Sequence, residues 1–134
     1  KLSLENAGSD TPIGVVFADL NGLKRVNDNY GHNSGDTLLK NAAKVLEEVF
    51  DTDEIFRAGG DEFTIIVTGI TEEELNKRVE AVREVSRKYE HVCFAIGQCY
   101  EDKRTNVRQA LRIADERMYE DKQKYYDKHP ELKR

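Results

Sequence analysis

Two hydrophobic rhythms run along the chain. Ile13-Gly14-Val15-Val16-Phe17-Ala18 is a continuous apolar run that stops at Asp19, the mark of a strand buried on both faces. Before it, Lys1 to Asn6 reads as the tail of a helix and Gly8 to Pro12 as a turn. After it, Asn21-Gly22-Leu23 leads into a short helix through about Asn29, stopped by Gly31. Ser34 is placed to cap a second helix, in which Leu38, Leu39, Ala42, Leu46, Val49 and Phe50 recur at helical spacing. Asp51-Thr52-Asp53 breaks it. Ile55 to Ala58, two glycines, then Phe63-Thr64-Ile65-Ile66-Val67 predict a tight hairpin, because glycine takes the positive φ such turns require. Thr71-Glu72-Glu73-Glu74 has the form of a capping box. It opens a helix that buries Leu75, Val79, Val82 and Val85, with the alternating charges of residues 72 to 90 as its solvated face. His91 to Tyr100 predicts another strand, with Gly97 as a bulge or a point of close approach. Thr105 starts a last helix with Val107, Leu111, Ala114 and Met118 on one face, and the stretch from Tyr125 reads as a polar tail broken by Pro130.

The order strand, helix, helix, hairpin, helix, strand, helix predicts an α+β fold: a central, largely antiparallel sheet flanked by helices, ferredoxin-like or polymerase-palm-like. That arrangement sets the end of the first strand beside the hairpin, so that Asp19 and Asp61 face one another. A length of 134 residues suits one domain with a single core. No apolar run approaches the roughly 20 residues of a membrane span, and no signal-peptide pattern opens the chain. Its abrupt start at Lys1 reads as a piece of a larger protein. The net charge of −5 argues against sequence-independent nucleic-acid binding, which wants a basic face. It leaves room for a small anion held by local donors and a divalent cation. Cys93 and Cys99 share the last predicted strand, ~20 Å apart and far beyond bridging distance. Reduced thiols of this kind suit the cytoplasm.

The chemistry concentrates at the hairpin. Asp61 and Glu62 sit side by side at a turn, where they repel each other unless something positive is present. Carboxylates on adjacent strands are hard oxygen ligands suited to Mg²⁺, which also binds substrate phosphates. Asp19 reads either as one of them, held rigidly at a strand end, or as a plain exposed terminus. The backbone from Leu20 to Leu23 offers itself to a phosphate where a helix begins. Asn27 and Asp36 flank the loop Gly31-His32-Asn33-Ser34-Gly35. An ionised Asp only accepts hydrogen bonds, so it suits the N1–H and N2–H₂ edge of guanine and mismatches the N6 donor of adenine. Lys24 and Arg57 either touch phosphates or neutralise the acidic cleft. His32 reads as a loop-holding hydrogen bonder, since no second His or Cys stands at ligand spacing. His91 and His129 read as ordinary surface or strand-end residues, and Met118 and Tyr119 as core rather than cofactor contacts.

Three ordered blocks carry a resemblance. Asp19-Leu20-Asn21-Gly22-Leu23-Lys24 with Asn27-Asp28, Gly31-His32, Gly35-Asp36 and Leu38 resembles the first signature block of the GGDEF domain family, the diguanylate cyclases. Arg57-Ala58-Gly59-Gly60-Asp61-Glu62-Phe63 resembles its naming motif, and Ala114-Asp115, Met118-Tyr119 and Lys122 its last-helix block. The resemblance implies a nucleotide cyclase fold and a nucleotidyl transfer. Two GTP molecules on two domains facing head to head condense to cyclic di-GMP and release two pyrophosphates. By position it implies Asp19, Asp61 and the Leu20 carbonyl as ligands of Mg²⁺ or Mn²⁺. It implies Asn27 and Asp36 as guanine readers, and Gly22, Leu23 and Lys122, with Gly59 and Gly60 at the turn, as phosphate holders. Asp61 and Glu62 would stand beside the reacting groups. It further implies an upstream sensory or membrane segment and no direct contact of this domain with nucleic acid or membrane. The chain departs from the family at Asn21, where a second acid is common, and at Tyr125-Tyr126-Asp127, where a Gly-Arg-Asn segment often stands. The family's product-inhibition site, Arg-x-x-Asp, is reduced to Asp53, with Phe50 in place of the Arg, so no allosteric product site is expected there. Its upstream Leu-Thr-Gly-Leu type segment is absent. The alternative function is a module that holds GTP for signalling without turnover.

Overall fold

The structure, a computed structural model, describes residues 10–89 and 92–130. The helix tail and most of the turn expected before Thr11, and the expected strand start at His91, lie outside the described residues. Strand β1 (Ile13–Leu20) is followed by helices α1 (Leu23–Tyr30) and α2 (His32–Val49). The hairpin β2 (Ile55–Ala58) and β3 (Glu62–Thr68) comes next, then α3 (Glu72–Ser86), β4 (Phe94–Glu101) and α4 (Val107–Lys128). The four strands form one sheet in the order β2-β3-β1-β4, antiparallel at every joint. This is the expected α+β architecture, with the apolar run of β1 at its centre.

Side-chain alternation along β1 decides which face each residue serves. Val16, Ala18 and Leu20 join Phe63, Ile65, Val67, Phe94 and Ile96 in the larger core, closed by α2 and α3 through residues such as Leu46, Leu75 and Val82. Ile13 and Val15 point the other way, into a smaller cluster with Cys99 and with Ala110 and Ala114 of α4. Asp19 has the odd parity of Ile13 and Val15, so it belongs to the α4 face. That parity brings it to its partner.

Helix α4 lies unusually close to the sheet. A Cβ on Gly97 would stand 2.1 Å from both Ala114 O and Met118 N, so of the two readings of this glycine, a bulge or a close approach, the structure shows close approach, made by helix backbone. The same helix covers the outer edge of β4. Arg117 Nη1 donates to Gln98 O at 2.8 Å, and Ile96 N–H donates to Asp121 Oδ2 at 2.8 Å, satisfying edge groups that would otherwise recruit another strand.

Several local expectations change. Helix α2 begins at His32 with Gly31 as its N-cap. Ser34 therefore lies inside the first turn and donates to Tyr30 O at 3.2 Å. Thr71 does cap α3, accepting from Glu74 N at 3.1 Å, but the Glu74 carboxylate turns to Arg78 Nε, 3.4 Å away. Cys93 falls just before β4 and is exposed, while Cys99 is buried. Tyr119 is 61% exposed, although Met118 is core. The polar tail is corrected most: α4 continues through Lys128 and buries Tyr126. The period was legible there, but the alternation of Lys, Asp and Tyr concealed it.

Candidate active site

The β1–β3 register pairs Asp19 with Glu62. Asp61 lies one step beyond, where its carbonyl accepts the Leu20 N–H at 3.1 Å. The carboxylate across the sheet from Asp19 is thus Glu62, one residue from the expected pairing, because the turn residues Gly59, Gly60 and Asp61 stand outside the strand. Gly59 has φ +76°, and Arg57 Nη2 donates to Gly60 O at 2.7 Å, closing the turn. Arg57 therefore braces the hairpin. Lys24 pairs with Asp28 at 2.8 Å on the exposed side of α1.

Asp19 is 4% exposed. Its Oδ2 lies 2.6 Å from Lys122 Nζ, a bond that ties β1 to α4 across 103 residues. Burial of an ionised carboxylate is tolerated only with such a partner. The two meet in a cleft of about 630 Å³ whose charged lining is Asp19, Glu62, Asp115, Glu116, Glu120 and Lys122. Burial raises the Glu62 carboxyl above its ordinary value, and the charges of Asp19, Asp61 and Asp115 push it further the same way against the pull of Lys122. The cleft thus has more negative charge than its lysine balances, and its chemistry suits an added cation.

That upward shift has a consequence for stability. An acid whose pKa rises on folding favours the folded state fully only below its unfolded value near 4.5, and loses that contribution as pH climbs through the folded value. Glu62→Gln, with divalent metal chelated, is expected to melt above the parent protein near neutral pH. The gap closes as pH falls towards 4.5. Thermal melts across pH check this, and a gap that widens on acidification would contradict it.

Beyond the end of β1 the chain turns at Gly22, φ +80°, directly before α1. The Gly22 N–H donates to the Tyr126 hydroxyl at 3.3 Å. Asn21 beside it is 4% exposed, donates from Nδ2 towards Cys93 Sγ at 3.6 Å, and has an Oδ1 without a partner among the described residues.

The guanine candidates come together through the α1–α2 corner. A Cβ on Gly35 would stand 1.7 Å from Asn27 Oδ1; only glycine there lets the Asn27 side chain lie across α2, next to Asp36. Asp36 is exposed and Asn27 half-buried. A separate groove of about 500 Å³, lined by Val26, Tyr30, Asn33, Ser34, Thr37 and Leu38, does not include them. Before the hairpin, Phe50 is 3% exposed and part of the core, with the Arg78 guanidinium 5.9 Å from its ring centre. Asp53 is exposed in a short 3₁₀ turn. His32 is exposed at the start of α2, and His129 stacks on Tyr125 at 4.5 Å.

Among the described residues, no three His, Cys, Asp or Glu are gathered into a ready metal cluster, and no helix is long and apolar enough to cross a membrane. Tyr126 is the site neighbour the sequence reading missed. Its signal was its position four residues after Lys122, which places both on one side of a helix.

The profile described as diguanylate cyclase, GGDEF domain, matches residues 1–128, and the chain belongs to this family. It is 30% identical over 119 residues to the diguanylate cyclase DosC of Escherichia coli strain K12, covering 81% of this chain and 26% of that protein. It is 35% identical over 119 residues to the bifunctional diguanylate cyclase/cyclic di-GMP phosphodiesterase MucR of Pseudomonas aeruginosa, covering 82% of this chain and 17% of that protein. The chain therefore spans about a quarter of the first relative and less of the second. The GGDEF domain of DgcB from Caulobacter crescentus, solved in complex with c-di-GMP, superposes at TM-score 0.73 and 25% identity, covering 84% of this chain and 73% of that one. The GGDEF domain of PA1120 from Pseudomonas aeruginosa superposes at TM-score 0.76 and 22% identity over 92% and 84% of the two chains, a likeness of fold.

Proposed function

We propose that this domain is a diguanylate cyclase that joins two GTP molecules into cyclic di-GMP, each GTP held by one of two copies meeting head to head. The observation that carries the reading is the buried Asp19 carboxylate, bonded to Lys122 and opposite Glu62 in the sheet register, within a chain of this family. In each half-reaction the 3′-hydroxyl oxygen of one GTP forms a bond to the α-phosphorus of the other. The α–β phosphoanhydride bond breaks, pyrophosphate leaves, and the hydroxyl proton is lost. Two such steps close the ring.

The donor set fits a divalent metal. Asp19, Asp61 and the Leu20 carbonyl are hard oxygens, and the Lys122 ammonium 2.6 Å from Asp19 Oδ2 supports a reading in which that oxygen faces positive charge. When bound there, Mg²⁺ or Mn²⁺ supplies charge neutralisation at the phosphates and acidity at the attacking hydroxyl. The protein's own groups do the rest. The turn at Gly22 and Leu23 and the Lys122 ammonium hold phosphate oxygens, with Gly59 and Gly60 leaving room at the hairpin. Asn27 and Asp36 read the guanine edge, Asp36 as an acceptor that fits its N–H donors. Glu62 stands beside the reacting groups. Cyclic di-GMP has no inhibitory site before the hairpin in this reading, because Phe50 belongs to the core and Asp53 stands alone. The domain acts in the cytoplasm within a longer signalling protein whose other part brings two copies together.

The test is incubation of the purified domain with GTP and Mg²⁺, followed by chromatography for cyclic di-GMP over a range of protein concentrations. Each copy is half a reaction centre, so the rate per molecule is expected to rise in proportion to concentration while monomer predominates. A rate per molecule that is constant down to monomeric dilutions would sink the two-copy scheme. GTP binding with no product at any concentration would instead favour the signalling module.

A further inference from the structure

Asp19 and Lys122 are unequal partners. Asp19 stands near the end of β1, where pairing with β3 and β4 fixes its backbone and its side chain is 6% exposed. Lys122 reaches it from α4 on a flexible four-carbon stem, its side chain 18% exposed, with Nζ 2.6 Å from Oδ2. The anion is anchored, and the cation is free to swing away. Lys122 is also the one cation among the described residues that line the cleft, against the carboxylates of Asp19, Glu62, Asp115, Glu116 and Glu120. The carboxylate oxygen that suits a divalent metal is thus the one this ammonium holds. Two cations crowded on one carboxylate oxygen, nearly out of water, repel each other strongly. Metal and ammonium exclude one another there.

We propose that Lys122 is an internal competitor of the divalent metal for Asp19, and that the metal is readily admitted only together with an anion that takes the ammonium over. The inference rests on the cyclase reading above, in particular on Asp19 as a metal ligand, and deepens it by coupling the two ligands of the site. A metal arriving alone must break the Lys122–Asp19 bond and leave a partly buried ammonium without a counter-charge. A nucleoside triphosphate brings phosphate oxygens with the metal, so the ammonium exchanges one oxyanion for another and loses little. Metal and nucleotide therefore strengthen each other's binding by equal factors. Until then Lys122 neutralises a buried carboxylate that would be costly to keep ionised alone.

The probe is Mn²⁺ alone, titrated into the protein without nucleotide, with Kd read from the paramagnetic resonance of the free ion. Lys122→Met keeps most of the stem and removes the charge. It is expected to lower that Kd roughly tenfold or more, the scale of one hydrogen bond between charged groups. Lys122→Arg keeps a cation beside Asp19 and is expected to bind Mn²⁺ as weakly as the parent. A Kd in Lys122→Met that is unchanged or higher overturns the proposal and leaves Lys122 as a brace that merely holds Asp19 in position. A measurement on the unaltered protein covers the case in which the variant fails to fold. The ligand there is Mg²⁺ with 3′-deoxy-GTP, which lacks the attacking hydroxyl and cannot be turned over. On saturation the Asp19 Cγ and Lys122 Cε resonances are expected to shift together, and a Lys122 signal that stays put while Asp19 responds overturns the proposal. An Asp19 signal indifferent to the saturating chelate, or an Asp19→Asn protein that binds it as tightly as the parent, would instead overturn Asp19 as a metal ligand. The metal centre of the cyclase reading would then fall, and this inference with it.

Discussion

Asp19→Asn is expected to lower cyclic di-GMP formation by at least ~10²–10³-fold, the scale reached when one group that manages charge in a transition state is removed. The residue is 4% exposed and takes its cation through Oδ2. Asn is nearly the same shape, so the surrounding core is left intact. It provides no negative charge, either for Lys122 or for the proposed divalent metal. Lys122 would then be left in a partly buried position with its direct partner gone, which costs stability as well. The two effects separate experimentally. Chromatography of product formed at fixed GTP and Mg²⁺ reads the first, and a urea melt reads the second. A folded Asp19→Asn protein with turnover within tenfold of the parent would remove Asp19 from the reaction.

Gly97→Ala is the second large expectation, and it acts through the fold. The added Cβ would meet Ala114 O and Met118 N at 2.1 Å. Those are backbone atoms of a helix, with no flexible end to swing aside. α4 must lift off β4, losing the packing of Ala110, Ala114 and Met118. Overpacking in a well-filled core costs ~1–3 kcal/mol and occasionally more, and this contact belongs at the upper end, a large fraction of the ~5–15 kcal/mol that holds a domain folded. A urea titration is expected to show a midpoint well below the parent's. Because Lys122 and Tyr126 ride on the same helix, any protein that stays folded is expected to cyclise GTP poorly, as their hold on Asp19 and Gly22 is displaced. A midpoint equal to the parent's would mean that α4 does not pack as described.

Particular residues explain how much of this was legible beforehand. The buried strand ending at Asp19, the two-glycine hairpin and the helical periods of α2 and α3 are local patterns, and the structure has them where they were expected. Gly97 stood out in its strand as either a bulge or a close-approach point, and only the packing of α4 chose the second. The errors lie where a long-range choice settles a local one. Gly31 starts α2 by adopting φ +92°, which relieves Ser34 of the capping role its chemistry suited. The Tyr125–Lys128 segment continues the period of α4, and its spacing from Lys122 places Tyr126 on the right side of the helix, but that its hydroxyl meets the Gly22 turn 104 residues away is a long-range contact no local pattern announces.

By itself the sequence determined the class of fold, the family, and which residue types could meet a metal, a phosphate and a guanine. Local periodicity and ordered motifs carry that information within a few residues of one another. The tertiary structure alone decided the partnerships. It set Glu62 rather than Asp61 across from Asp19, put Lys122 on Asp19 Oδ2, and placed Tyr126 on the Gly22 amide. Each of these depends on strand register, on the parity of β1 side chains and on how closely α4 settles over Gly97. Those are properties of packing between distant segments, fixed only when the two faces of the sheet are filled.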